Sequence, residues 1–235
     1  MIRIRHFFSL LIITALCSIC SAQDIHSVQT VFTKTTNENS RIEHIEGTLY
    51  FEIDHGVVIR VTAPVSQWLV SQKNSLLIYY PDDKYAFRLP TQRAMIFSFF
   101  QAFMGAMIED FGLTQFGYSL TNNTIQNDTL ITVWSPPQHA ESEVGNFTLK
   151  YLGDKIVEAE LRNANGSVIS SSHFSDHMQY KSFYFPCNTE TFRYTDTDTV
   201  IEHTVFLGPQ FNVTIPDSIL HFRLPDDVEV QQEKW

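Results

Sequence analysis

The alternation of apolar and polar residues predicts a protein built mainly from β-strands. Within one such stretch, Leu49 and Phe51 fall on one face of a strand, and Thr48 and Glu52 fall on the other. Runs of this kind are short and are separated by turn residues at hairpin spacing, which is typical of an antiparallel meander. The predicted strands are at 28–36, 42–53, 57–62, 68–71, 75–80, 84–89, 115–120, 129–134, 147–152, 156–162, 168–174, 183–185, 191–195, 199–206 and 219–224.

One segment follows a different period. From residue 91 to residue 111, apolar side chains recur at the i, i+3, i+4, i+7 spacing of a helix face, and Gly112 is well placed to end the helix. A large antiparallel sheet must cover one face. We therefore expect this helix to be either a plug in a closed core or a lid over a lipid-sized cavity.

The N-terminus has the pattern of a cleaved secretory signal. Arg3 and Arg5 precede a short apolar run, and small residues lead up to Ala22. We predict a signal peptide at 1–22, cleaved near Ala22, and a single domain at 23–235. The net charge of −10 without basic clusters argues against nucleic-acid binding. Cys187 is the one cysteine beyond the signal, and we expect it to be a small buried side chain rather than a reactive thiol.

Short motifs in a fixed order resemble those of the periplasmic outer-membrane lipoprotein carriers, the LolA-like family. The motifs are Gly47-Thr48-Leu49-Tyr50-Phe51, Ile59-Arg60, Trp68-Leu69-Val70-Ser71, Leu76-Leu77-Ile78-Tyr79-Tyr80-Pro81, Ile215-Pro216-Asp217 and Phe222-Arg223-Leu224-Pro225. The resemblance implies a mainly β fold, an unclosed antiparallel half-barrel whose concave apolar face is covered by helix.

The same resemblance implies a function. Such a protein is a periplasmic carrier that binds the acyl chains of lipoproteins and delivers them to the outer membrane. Its expected partners are acylated lipoproteins or other lipids, an inner-membrane release complex and an outer-membrane acceptor. We expect a monomer without a cofactor. A related half-barrel module that senses lipoproteins for signalling is an open alternative.

Carrying an acyl chain requires a wide apolar surface, because each buried methylene contributes about 0.8 kcal/mol. Arg60 lies among apolar strand residues and is a candidate polar contact to the lid or the cargo, although strand parity favours an outward-facing side chain. We place the candidate lipid-binding residues on the concave face and on the helix opposite it: Leu49, Phe51, Ile59, Val61, Leu69, Leu77, Tyr79, Phe99, Phe103 and Met107.

Metal binding and catalysis are not predicted. His173 and His177 flank Asp176, but four residues of a strand span about 13 Å, which is too far for ligands of one ion. The sequence lacks the nucleophile-elbow, zinc-protease and P-loop motifs. We therefore expect a protein that is not an enzyme, with a hydrolase as the minor alternative.

Overall fold

The computed structural model describes residues 25–72, 75–90, 103, 107, 110–142, 144–195 and 198–232. The predicted signal peptide and Phe99 lie outside these residues, as does most of the predicted helix. Phe103 and Met107, which belong to that predicted helix, have helical backbone conformation. Across the described ranges, no helix has the length and apolar character needed to cross a membrane.

The described strands form one 14-stranded sheet. All strand pairings are antiparallel except the parallel pair of β14 and β6. The spatial order is β14-β6-β5-β4-β3-β2-β1-β13-β12-β11-β10-β9-β8-β7, and the edges do not meet. The strands are β1 (Ser27–Glu38), β2 (Arg41–Glu52), β3 (Gly56–Ala63), β4 (Gln67–Gln72), β5 (Ser75–Tyr80), β6 (Tyr85–Pro90), β7 (Ser119–Gln126), β8 (Thr129–Ser135), β9 (Val144–Leu152), β10 (Lys155–Asn163), β11 (Val168–Tyr180), β12 (Phe183–Tyr194), β13 (Thr199–Phe211) and β14 (Glu229–Gln232). The predicted mainly β, unclosed architecture is confirmed.

Two predictions of strand boundaries after residue 110 are wrong. The segments 183–185 and 191–195 belong to one continuous strand, β12, which passes through Pro186. Pro186 pairs opposite His177 on β11, where Asp176 has a left-handed backbone (φ 52°). A proline interrupts a strand only where its missing N–H is needed. Similarly, part of the predicted strand 115–120 is a 3-10 turn, Leu113–Phe116, and β7 begins after it.

The C-terminal region also differs from the prediction. Residues 219–224 do not form a strand; the short helix α1 (Asp217–Leu220) follows Pro216, and an extended segment continues to β14. Ile219, Phe222 and two later apolar residues of this segment pack against buried residues of β3 to β6. The apolar residues of this segment pack onto a sheet face and do not pair as a strand.

Strand register divides the sheet into two faces. Leu49 pairs with Ile59, which pairs with Leu69, and we call the face that bears these three residues the inner face. Val58, Val70 and the C-terminal segment lie on the opposite side, the outer face. Both faces therefore have a core of their own along the first half of the sheet.

The inner face is the concave one. The ring of Phe103 lies 6.1 Å from that of Phe51 on β2 and 6.0 Å from that of Phe185 on β12. These strands are three positions apart, roughly 14 Å in a flat sheet. Both rings contact the same side chain, Phe103, which indicates that the sheet curves toward it.

Candidate functional site

The inner face carries a broad apolar surface at its centre. Leu49, Phe51, Ile59 and Val61 are all buried there in one cluster, each with at most 8 % of its surface exposed. The same cluster receives side chains that sequence reasoning missed, from β1 and from the other half of the sheet: Val28, Phe32, Phe185 and Phe206. The alternation signal identified these residues as strand residues, but strand alternation does not tell which distant strands become neighbours.

Phe103 and Met107 lie against this surface. Both are almost completely buried, at 0 % and 2 % exposure. Phe103 makes edge-on or tilted ring contacts with Phe51, Phe185 and Phe206, the last at 5.9 Å. Such aromatic pairs each contribute about 0.5–1.5 kcal/mol beyond the burial of their area. In this state, the two side chains occupy the apolar centre of the inner face.

Gly47 makes the close packing of this region possible. A Cβ atom at this position would lie 2.9 Å from Cε1 of Phe32 and 2.4 Å from the carbonyl oxygen of Arg60. The ring of Phe32 thus lies directly over the backbone of β2. Only glycine leaves room for it, because real Cβ atoms do not approach other atoms this closely.

Two predicted lipid-binding residues lie on the other face of the sheet. Leu77 pairs with Val70, and Tyr79 lies two positions further along β5, so both belong to the outer face, where they pack with the C-terminal segment. This corrects their predicted placement on the concave face. The sequence does not show which face of β5 is the concave one, because every residue from 76 to 80 is apolar and the strand is buried on both faces.

The inner-face residues of β5 are the neighbours of the predicted ones. Leu76 and Ile78 are buried beside Leu69, together with Phe87 and Leu89 of β6. Leu69 itself is partly buried and contacts both this patch and the central cluster. The apolar inner surface therefore continues from the centre of the sheet toward the β6 edge.

Arg60 is also on the outer face. Its exposed guanidinium lies 5.3 Å from the ring centroid of Trp68, and that ring stacks on Phe222 at 4.9 Å. This is the outward-facing position that strand parity favours, and it corrects the candidate contact between Arg60 and a lid or cargo on the inner face. Register explains the placement: Arg60 pairs with Trp68, and its neighbours Ile59 and Val61 point inward.

A second apolar patch lies on the inner face of the distal strands. Phe147, Leu149, Ala159 and Phe174 are buried there around Leu113, with Phe111 packed against them. The ring of Phe111 lies 5.6 Å from that of Phe147. The connection between β6 and β7 thus contacts both patches, through Phe103 and Met107 at one end and Phe111 and Leu113 at the other.

A belt of polar side chains separates the two patches. Successive cross-strand rows of the inner face read Phe174–Thr189–Thr204–Lys34 and Ser172–Thr191–Glu202–Thr36. We define the polar belt as Lys34, Ser172, Thr189, Thr191, Arg193, Glu202 and Thr204. Its centre is an ion pair between Nζ of Lys34 and Oε1 of Glu202 at 2.8 Å, with Nη2 of Arg193 at 3.5 Å from the same oxygen.

Sequence reasoning also missed the polar belt. Threonine and glutamate at alternate positions of a strand are normally taken for its solvent-facing side. Here Thr189, Thr191 and Glu202 are the buried positions, at 3 %, 3 % and 6 % exposure. The signal that could have revealed them is Glu202, which shares its parity with the apolar Val200 and Phe206.

Other titratable groups are tied to structural partners. Burial lowers the pKa of His177, whose Nε2–H donates to the carbonyl oxygen of Ile156 at 2.7 Å. Burial raises the pKa of the Cys187 thiol. Within the part of the chain that the structure describes, no group of three or more histidine, cysteine or acidic side chains is placed to hold a metal ion.

Comparison with solved structures identifies the architecture. No protein-family model matches the sequence, and a search of curated proteins gives no match. A LolA superfamily protein from Nitrosomonas europaea superposes with a TM-score of 0.61, at 12 % identity, over 84 % of this chain and 91 % of that one. The fold is LolA-like.

Two further solved structures match with similar coverage. A domain from Vibrio parahaemolyticus with a name that refers to outer membrane lipoprotein sorting gives a TM-score of 0.62 at 10 % identity, over 83 % of this chain and 89 % of that one. A DUF1329 family protein from Desulfovibrio piger gives 0.63 at 11 % identity, over 85 % and 91 %. The resemblance stated from the sequence is thus confirmed as a likeness of fold.

Proposed function

We propose that this protein is a periplasmic carrier that binds acyl chains on the inner face of its LolA-like sheet and delivers acylated lipoproteins to the outer membrane. The observation that carries this proposal is the continuous apolar inner surface of an unclosed sheet, which runs from Ile59 through Leu69 to Ile78. The similar fold of the Vibrio parahaemolyticus domain, whose name refers to outer membrane lipoprotein sorting, supports it. The protein acts by binding, and no catalytic step is invoked.

The proposed site holds long chains because it is wide. A chain bound at its centre takes the positions of Phe103 and Met107, which now cover Leu49, Phe51 and Ile59. Each methylene that leaves water contributes about 0.8 kcal/mol, and re-exposing the aromatic side chain offsets part of that gain. This exchange of one apolar partner for another gives moderate affinity, which a carrier needs in order to release its cargo.

The proposed lipoprotein exchange partners are an inner-membrane release complex and an outer-membrane acceptor. A transfer experiment tests the proposal. Protein purified from periplasm is extracted for lipid and lipoprotein, and the full chain is then incubated with donor vesicles that carry a triacylated lipoprotein. We expect lipoprotein in the extract and its release from the vesicles into a soluble complex. Absence of both release and acyl-probe binding would refute the proposal.

A pair of variants assigns the binding to the inner face. Leu69→Gln places a polar group on the inner face, and Tyr50→Gln does so on the outer face; both wild-type side chains are partly buried. We expect the first variant to weaken binding of a fluorescent fatty acid and the second to leave it unchanged. Far-UV circular dichroism confirms that both variants are folded.

A further inference from the structure

The polar belt has more hydrogen-bond donors than the protein uses. Its Lys34–Glu202–Arg193 centre carries two formal positive charges and one negative charge, and their side chains are 15 %, 7 % and 37 % exposed. Among the described residues, neither Nε of Arg193 nor Oγ1 of Thr189 has a hydrogen-bond partner, although both atoms are buried. A buried donor without a partner costs about 1–3 kcal/mol.

Four other members of the belt bond to one another, which helps to locate the surplus. The hydroxyl groups of Ser172 and Thr191 hydrogen-bond to each other at 2.8 Å, and Lys34 is bound to Glu202. The unmatched groups therefore lie at Thr189 and Arg193, which share the inner face of β12 on either side of Thr191, with about 13 Å between their Cα atoms. The side chain of Arg193 shortens this gap, because its guanidinium reaches Glu202, which pairs with Thr191. The partial exposure of Arg193 leaves this end of the belt open to solvent.

The position of the belt points to an amphiphilic ligand. Thr189 pairs directly with Phe174 of the second apolar patch, and Thr204 lies two residues from Phe206 of the central cluster. A ligand whose apolar tail lies in either patch would place its polar end at Thr189 and Arg193. Buried charges and polar groups in proteins are normally paired, so an anion complements the extra positive charge beside the buried Nε of Arg193. Charge-assisted hydrogen bonds to oxygen are stronger than neutral ones.

We propose that the polar belt binds the anionic oxygen head group of an acyl ligand, a carboxylate or a phosphate, with Arg193 and Thr189 as the donors. This inference rests on the proposed binding of acyl chains by the inner face, and it specifies the head group. Fatty acids and phosphate-headed lipids share the required chemistry. The acylated end of a triacylated lipoprotein is neutral, so the inference concerns an anionic amphiphile that binds the same inner face in addition to the lipoprotein.

Three amphiphiles with the same chain test the inference. Dodecanoate, dodecyl phosphate and a neutral dodecyl ether of oligoethylene glycol are titrated below their micelle concentrations by isothermal calorimetry against the full chain. We expect at least one anionic compound to bind about tenfold or more tightly than the neutral one. The difference between dodecanoate and dodecyl phosphate distinguishes a fatty acid from a phospholipid source.

Two variants test whether Arg193 causes the preference for an anionic head group. In Arg193→Gln, Lys34 still pairs with Glu202, so we expect the variant to fold, to lose about tenfold in affinity for the anionic compound and to bind the neutral one as before. Lys150→Gln removes the same charge from an ion pair with Glu158 on the outer face, at 2.9 Å, and serves as the matched control. We expect this control to bind like wild type.

Failure of the head-group proposal and failure of the acyl-binding proposal give different results. Equal affinity of wild type for all three compounds, or an equal loss for all three in Arg193→Gln, would overturn the head-group site while leaving acyl binding intact. If no compound binds wild type at all, acyl binding itself is absent, and both proposals are wrong.

Discussion

Replacing Phe103 with alanine separates two roles for this side chain. Phe103 has no exposed surface and contacts three other rings. If it is a permanent part of the core, Phe103→Ala costs the full penalty of a buried aromatic truncation, about 3–5 kcal/mol. If it competes with an acyl chain for the inner face, the same substitution weakens the competitor and leaves the sheet surface unchanged.

The second role predicts tighter binding. Suppose that half of the lower stability cost, about 1.5 kcal/mol, no longer opposes binding because the competing ring is gone. The affinity for a fluorescent fatty acid then rises roughly tenfold. We therefore expect Phe103→Ala to be less stable than wild type by urea unfolding, yet to bind the probe more tightly in fluorescence titrations. An affinity that is unchanged or reduced in a folded variant would show that Phe103 is a core plug or a direct ligand contact, and would refute the competition.

Three further substitutions test the packing of the sheet. Gly47→Ala forces its new Cβ against the neighbouring backbone carbonyl, and we expect it to destabilise the fold by about 1–3 kcal/mol or more, measured by chemical denaturation. Because burial holds the pKa of His177 below its ordinary value, the native state binds fewer protons than the unfolded chain. Stability contributed by this group is present above the ordinary histidine pKa of about 6.5 and is lost as pH falls through its folded value. We expect His177→Gln, which can still donate to Ile156, to lose less free energy of unfolding than wild type as the pH falls. Phe222→Ala uncovers Trp68, so we expect a red shift of tryptophan emission and an unchanged affinity for fatty acid.

The sequence supports the architecture better than it supports the details of the site. Alternating strands, hairpin turns and the ordered motifs predict an unclosed antiparallel sheet, and this prediction is confirmed. The inner-face positions of Leu49, Phe51, Ile59, Val61 and Leu69 agree with the strand register. Their roles in lipid binding stay predictions, which the experiments above address.

The remaining errors have physical causes. Leu77 and Tyr79 are predicted on the wrong face because two cores, one on each side of β3 to β5, remove the contrast between buried and exposed positions. The outward-facing position that strand parity favours for Arg60 agrees with the register. The C-terminal segment, which supplies the outer core through Phe222, is distant in sequence, so its packing could not be read locally. The polar belt is hidden for the opposite reason: its buried residues are of types that usually face solvent.

The polar belt and the two apolar patches together form a surface that suits an amphiphile. The apolar residues can take chains of varied length because the sheet is open, whereas Arg193 and Thr189 fix one polar position between the patches. Affinity then depends on both the length of the tail and the charge of the head. Chain length and head group can be varied independently, so the two contributions can be measured apart.

Photolabelling tests the central claim most directly. A fatty acid with a diazirine at the end of its chain is bound to the full chain and irradiated, and the adducts are assigned to single residues by mass spectrometry. Successive residues of one strand face opposite sides of the sheet, so β5 contains its own control. We predict adducts on Ile78 and its inner-face neighbours. Adducts confined to Leu77 and Tyr79, or the absence of specific adducts, would contradict the account.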